Sequence, residues 1–319
     1  MKIVVLEGYP LNTGDLSWDE LRTLGDVDIY DRTEQDQIIE RANGADAILT
    51  NKLKIDSNVM LALPKLRYIG VLATGYNVID LQAAKNFGIT VTNVPTYGTQ
   101  AVAQHVFALL LAMTLHVEEH SARVREGAWS DSGAWSFWLH PLSELSGKTM
   151  GIVGYGRIGR AVGDIARAFG MKVLANDSVR DLSLEADGMK YADLDELLAE
   201  SDVISLHCPL LPENVGMINE KSISRMKDGV RIINTSRGQL IVEADLAKAL
   251  DAGKVGAAGL DVLCEEPPKA WNPLFKAKNA LITPHMAWAP KESRQRLLSI
   301  AVDNLARFIE GKPTNVVSK

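Results

Sequence analysis

Short apolar runs alternate with amphipathic stretches along almost the whole of this chain. In the first part the apolar runs fall at 2–6, 27–30, 47–50, 68–71 and 90–92, with amphipathic stretches such as 58–63 and 81–87 between them. Runs this short, apolar at nearly every position, read as strands buried on both faces. The alternation resumes further on, with strands predicted at 149–153, 172–176, 203–206, 230–234, 257–261 and 280–283. Helices are predicted at 157–169, near 222–226, and at 243–252 before Gly253. Another runs through Glu200, with Asp193 and Glu196 as its capping pair. A long amphipathic helix fills 290–311. The longest apolar stretch, 101–117, is interrupted by Gln104, His105, Thr114 and His116, so it reads as a buried helix and not as a membrane span. The stretch 129–140, rich in Ser, Gly and Trp, reads as one long irregular segment, and segments of that kind are usually functional or interfacial. Strands alternating with helices predict an α/β protein whose parallel sheets are covered on both faces.

One strand of this series carries chemistry of its own. The run 149–153 leads into Gly154-Tyr-Gly156-Arg-Ile-Gly159 and then into a helical stretch. The next strand ends at Asp177, eighteen residues after Gly159. Strand, glycine turn, helix, strand and acid stand in the order of a dinucleotide site. Gly154 permits the tight turn, Gly156 lets the backbone approach a pyrophosphate, and Gly159 lets helix and strand pack closely. The helix start offers N–H groups to the phosphates, and Asp177 can accept from an adenosine ribose.

The motif begins only after some 150 residues that have an alternating pattern of their own, and 319 residues suit two domains with sizeable cores. A net charge of −6, with acids and bases interspersed, argues against a nucleic-acid surface. Cys208 and Cys264 lack metal-ligand spacing, so no metal site is expected, and two cysteines fit a reducing, cytoplasmic setting. The opening run meets Glu7 too soon for the apolar core of a signal peptide. No membrane partner is expected.

Polar residues gather just after the late strands. The strand at 230–234 runs into Thr235-Ser-Arg237-Gly238, the one at 257–261 into a loop holding Glu266, and the one at 280–283 into Pro284-His285. Ligands of parallel α/β sheets sit beyond the carboxyl ends of the strands. Arg237, Glu266 and His285 therefore project toward the crevice that would hold a nicotinamide. Each taken alone has an ordinary reading, as a surface charge, a loop acid or a satisfied loop histidine.

At these residues the chain resembles the D-2-hydroxyacid dehydrogenase family, and within it the glycerate dehydrogenases, also called hydroxypyruvate reductases. The resemblance is carried by Val71-Leu-Ala-Thr-Gly75-Tyr-Asn77, Asn93-Val-Pro-Thr-Tyr-Gly-Thr99, Gly154 through Gly159, His207-Cys-Pro-Leu210, Asn234-Thr-Ser-Arg-Gly238, Asp261 through Pro267 and Pro284-His285-Met-Ala-Trp288. It implies two doubly wound, Rossmann-like parallel-sheet domains with an active-site cleft between them. Residues 1–98 and 287–319 would be the substrate domain and 99–286 the NAD-binding domain. It implies a homodimer, with Trp135, Phe137 and Trp138 in an interface arm.

The expected substrate is a small 2-keto or 2-hydroxy acid. Arg237 would hold its carboxylate and polarise its carbonyl. Backbone N–H groups of Ala73, Thr74 and Gly75 would hold the other carboxylate oxygen. His285 would donate the proton, with Glu266 fixing its ring and favouring its charged form. The family likeness puts Asp261 near the nicotinamide carboxamide and Thr99, Arg157, Ile158 and Thr235 along the cofactor. NAD is expected from Asp177, with NADP as the alternative because Arg180 lies close in sequence. The rival readings are a D-lactate or phosphoglycerate type of dehydrogenase, and a dinucleotide-sensing corepressor on the same fold.

Overall fold

The computed structural model describes residues 1–318. Two compact units emerge: residues 1–98 together with the stretch from Trp288 on, and residues 99–287.

The first unit is built on β1 (Lys2–Val5), β2 (Asp26–Ile29), β3 (Ala47–Thr50), β4 (Tyr68–Val71) and β5 (Thr90–Thr92). They form one parallel sheet in the order β2-β1-β3-β4-β5, a doubly wound arrangement. β3 and β4 are buried at every position, as strands covered on both faces must be. One face packs Ile48, Ile69 and Val91 against Ile55, Met60 and Ala84. The other packs Ile3, Leu49 and Tyr68 against Leu297, Leu298 and Leu305 of the helix Lys291–Ile309. Aspartates start the short helices: Asp56 accepts from the N–H groups of Asn58 and Val59, and Asp80 from that of Ala83.

The second unit holds β6 (Thr149–Val153), β7 (Lys172–Asn176), β8 (Met189–Tyr191), β9 (Val203–Leu206), β10 (Val230–Asn234), β11 (Val255–Leu260) and β12 (Ala280–Ile282). All are parallel, in the order β12-β11-β10-β9-β6-β7-β8. The strand order reverses between β6 and β9, and that switch point is where this kind of sheet receives ligands. The helix Thr99–Leu115 is buried along most of its length and packs on β11 and on the helix Arg157–Ala168. No single helix among the described residues is long and apolar enough to cross a membrane; one bent pair, Thr99–Leu115 with Val117–Arg125, passes the length and composition test together.

Four local expectations need correction. β8 was not foreseen, because three residues carry too little periodicity to register. The helix expected at 222–226 is Glu220–Ser224, opened by Asn219, whose side chain and that of Ser222 form a reciprocal cap. Asp193 stands at the start of Leu194–Glu200 but does not cap it; its carboxylate pairs with Arg180 instead. The segment 129–140 is not wholly irregular, since the helix Ala128–Ser132 enters it.

Candidate active site

The glycine loop follows β6 at the switch point. Gly154 has φ +92°, a conformation open to glycine, and a Cβ there would lie 2.4 Å from the Cys208 nitrogen. At Gly159 a Cβ would meet the Gly154 carbonyl oxygen at 2.1 Å, so helix and strand approach as closely as only glycine permits. Gly156 differs: a Cβ there would meet nothing within 4 Å. It borders open space, where a ligand's phosphates can approach backbone. It also starts the helix Arg157–Ala168, whose N-terminus no side chain caps. N–H groups and the positive end of the dipole remain for an anion. Arg157 and Ile158 are the first two residues of that helix, and Thr99 opens the helix Thr99–Leu115.

Asp177 stands just beyond β7. One carboxylate oxygen accepts from the Tyr155 N–H at 2.7 Å, and the other takes longer bonds, 3.3 Å each, from the Ser178 hydroxyl and the Val179 N–H. The acid is thereby tied to the glycine loop. Arg180 is paired with Asp193 and reaches the Ala192 carbonyl.

Across the switch point, the chain after β9 lies against Gly154. Burial pushes the His207 imidazole down to about 4, so it stays neutral, and its Nε2 meets the Ser205 hydroxyl at 2.8 Å. Burial also pushes the thiols of Cys208 and Cys264 up to about 11. Both shifts disfavour the thiolate that a cysteine nucleophile needs.

The turn after β10 is braced by Asn234, fully buried. Its amide donates to the Arg237 carbonyl at 2.8 Å and its oxygen accepts from the Ser236 N–H at 3.0 Å. A Cβ on Gly238 would stand 1.9 Å from the Leu263 carbonyl carbon, which forces the Arg237 turn against the loop that carries Glu266. The Gln239 amide adds a 2.8 Å bond to the Cys264 carbonyl. Arg237 itself is partly buried and gives Nη1 to the Ser236 carbonyl, leaving other donors of its fork for an anion. The hydroxyl of Thr235 is buried with no partner among the described residues. An orphaned buried hydroxyl is costly and expects a ligand.

His285 and Glu266 meet directly. Nδ1 lies 2.7 Å from Glu266 Oε2, and Glu266 Oε1 accepts a longer bond from the Leu263 N–H. His285 has φ +50°, an uncommon conformation for a residue with a Cβ. The turn is held by Asp261, whose side chain is fully buried. Its carboxylate accepts from the Thr283 hydroxyl at 2.6 Å and from the Met286 and Ala287 N–H groups at 2.8 Å each. Burial alone would raise the Asp261 carboxyl, but hydrogen bonds from His105, Thr283 and the backbone of Ala287 and Met286 outweigh it and hold the group below its ordinary value. The sequence signalled almost none of this bracing by Asn234, Gly238, His105 and Asp261. A buried Asn closing a strand in Asn-Thr-Ser-Arg-Gly was the one legible hint. Ala73, Thr74 and Gly75 fall in the first unit, after β4, where the carbonyls of 73 and 74 are tied to Val94 and Asn93.

These features suit a dinucleotide: an uncapped helix start, a glycine facing open space, an acid beyond the second strand and a buried hydroxyl lacking a partner. The family model for the D-isomer specific 2-hydroxyacid dehydrogenase NAD binding domain matches residues 107–287, and the chain belongs to that family. It is an NAD-dependent oxidoreductase that interconverts small 2-keto acids and 2-hydroxy acids. The chain is 55% identical to the hydroxypyruvate reductase of Blautia hydrogenotrophica, over 100% of both chains. It is 41% identical to the glycerate dehydrogenase of Methylorubrum extorquens, over 88% of each. The crystal structure of the TT0316 protein from Thermus thermophilus superposes with a TM-score of 0.88 at 36% identity, covering 99% of this chain and 100% of that one.

Proposed function

We propose that this enzyme reduces hydroxypyruvate and glyoxylate with NADH to D-glycerate and glycolate, and runs the reverse reaction. The observation that carries the chemistry is the 2.7 Å contact between His285 Nδ1 and Glu266 Oε2. With Nδ1 engaged by the carboxylate, Nε2 is the atom that gives a proton to the substrate oxygen as that oxygen gains negative charge. Arg237 binds the substrate carboxylate through its planar fork and polarises the carbonyl. Ala73, Thr74 and Gly75 are assigned to the second carboxylate oxygen. In the reverse direction neutral His285 takes the proton back.

The dinucleotide, when bound, supplies the hydride that reaches C2. Gly154, Gly156, Arg157, Ile158 and Gly159 would hold its pyrophosphate region, Asp177 its adenosine ribose, and Thr99, Thr235 and Asp261 would line the rest. NAD is preferred on this reading, because Asp177 would repel a 2′-phosphate. A homodimer in a reducing, cytoplasmic setting belongs to the same proposal. Its supports are the two free thiols and an aromatic segment in which Trp135 is 91% exposed and Trp138 65%.

The test is a panel of 2-keto acids followed by NADH absorbance, wild type beside His285→Gln. Hydroxypyruvate and glyoxylate should lead, and His285→Gln should lose roughly 10²- to 10⁴-fold in kcat. A panel led by pyruvate would move the enzyme to the D-lactate type. No turnover of any keto acid would favour the dinucleotide-sensing reading.

A further inference from the structure

The second unit gathers a set of side chains that the dehydrogenase chemistry does not use. The long buried helix ends at Leu115, and the helix Val117–Arg125 starts two residues later at a 54° bend. His116 sits in the break with φ +48°. Glu119 lies one turn further on, and His140 comes from the loop beyond the helix Ala128–Ser132. One donor atom from each of these three residues lies within 4.8 Å of the other two. We propose that His116, Glu119 and His140 form a binding site for a divalent transition-metal ion, with Zn²⁺ as the reference ion.

Two imidazoles and one carboxylate suit Zn²⁺ and its neighbours, and hard alkaline-earth ions poorly. Three protein ligands leave one position for water. Glu119 Oε2 and His140 Nε2 are already 2.8 Å apart, and the His116 and His140 rings have centroids 4.7 Å apart. Bonds of about 2.0–2.1 Å to a tetrahedral ion place donor atoms roughly 3.4 Å apart, so the Glu119–His140 pair must open by about 0.6 Å and the separations from His116, within 4.8 Å, close by at most about 1.4 Å. Glu119 is exposed and His140 lies on a loop, so both can swing.

The scaffold around the set is fixed by a third histidine. His120 Nε2 accepts from the Leu139 N–H at 3.0 Å, so its proton is on Nδ1, which donates to the His116 carbonyl at 2.8 Å. His120 is therefore not a ligand. It is a clamp joining the backbone at His116 to the loop that delivers His140. Metal ligands usually need such outer support. Burial, and then the neighbouring His140, lowers the pKa of His116. The hydrogen bond from His140 is the main cause lowering that of Glu119. An ion here would fasten the helix Val117–Arg125 to the aromatic segment that contains Trp135 and Trp138.

Tag-free protein, stripped with chelator, is titrated with Zn²⁺ by calorimetry and with Co²⁺ by visible absorbance. Wild type should bind one ion per chain, with the intense visible bands of low-coordinate Co²⁺, and should gain thermal stability on adding Zn²⁺. His140→Ala and Glu119→Gln should each weaken binding at least about tenfold and abolish the thermal gain. Glu119→Gln can keep a hydrogen bond to His140, so it removes the ligand charge while preserving the fold. Cys264→Ser should bind as wild type does. Wild type without one-to-one binding would overturn the proposal. So would His140→Ala and Glu119→Gln proteins with unchanged affinity, or binding lost with Cys264.

Discussion

Replacing Asp261 with Asn keeps the shape of the side chain and removes its charge and one of its two acceptor oxygens. In the native turn one oxygen takes the Thr283 hydroxyl and the Met286 N–H, and the other takes the Ala287 N–H. An Asn oriented to keep the first pair points its NH₂ at the Ala287 N–H. That leaves a buried donor facing another donor, at a cost of about 1–3 kcal/mol. The two retained bonds lose their charge assistance, which removes up to half their strength. The sum is about 2–4 kcal/mol, and at roughly 2–4 °C per kcal/mol the melting temperature should fall by about 5–15 °C. The same bonds set where His285 stands, and a displacement near 1 Å costs on the order of 10²-fold in rate. kcat for keto-acid reduction should therefore fall by about 10- to 100-fold in protein that remains folded by circular dichroism. The pH dependence has a definite sign. Asp261 is lowered in the folded protein, so its contribution is present above its unfolded value near 4 and is lost as pH falls through the folded one. The gap in melting temperature between wild type and Asp261→Asn should be constant from pH 5 to 8 and narrow only in acid. A variant that melts within a degree of wild type and keeps its kcat would refute the bracing role assigned to this carboxylate.

Arg237→Ala should cost about 10- to 100-fold in kcat/KM for the keto acid, the worth of a charge-assisted contact of roughly 1.5–3 kcal/mol, with NADH affinity little changed. Arg237→Lys should recover only part, since it lacks the fork; saturation curves for the keto acid and for NADH check both. Asp177→Ala should shift the ratio of kcat/KM values toward NADPH, and a native enzyme that already prefers NADPH would disprove the ribose role. Asp15, held down to about 2 chiefly by its hydrogen bonds to Arg294, should stabilise the first unit above pH 4 and lose that effect between about pH 4 and 2. Melting curves of wild type and Asp15→Asn should thus differ at pH 6 and converge near pH 2.

The sequence by itself determined every strand except the short β8, and the dinucleotide loop. Both depend on local rules. A doubly covered strand must be apolar at nearly every position, and the backbone at Gly154 and Gly159 meets constraints that only glycine satisfies, while Gly156 leaves the loop open to a ligand. Arg237, Glu266 and His285 were legible because each follows a strand, and strand ends in a parallel sheet share one side. What the tertiary structure decided is how those residues are held. Asn234 braces the Arg237 turn, Gly238 presses that turn onto the Glu266 loop, and Asp261 anchors the turn of His285. Apart from the local Asn234 brace, these contacts join residues far apart in the chain, as His105 and Thr283 are, so no spacing rule reveals them. The same reason hid the grouping of His116, Glu119 and His140. Asp193 shows the converse: its position was right for a helix cap, but Arg180, brought near by the fold, takes its carboxylate. A local pattern states what a side chain can do, and the neighbours that folding supplies decide which of those options it takes.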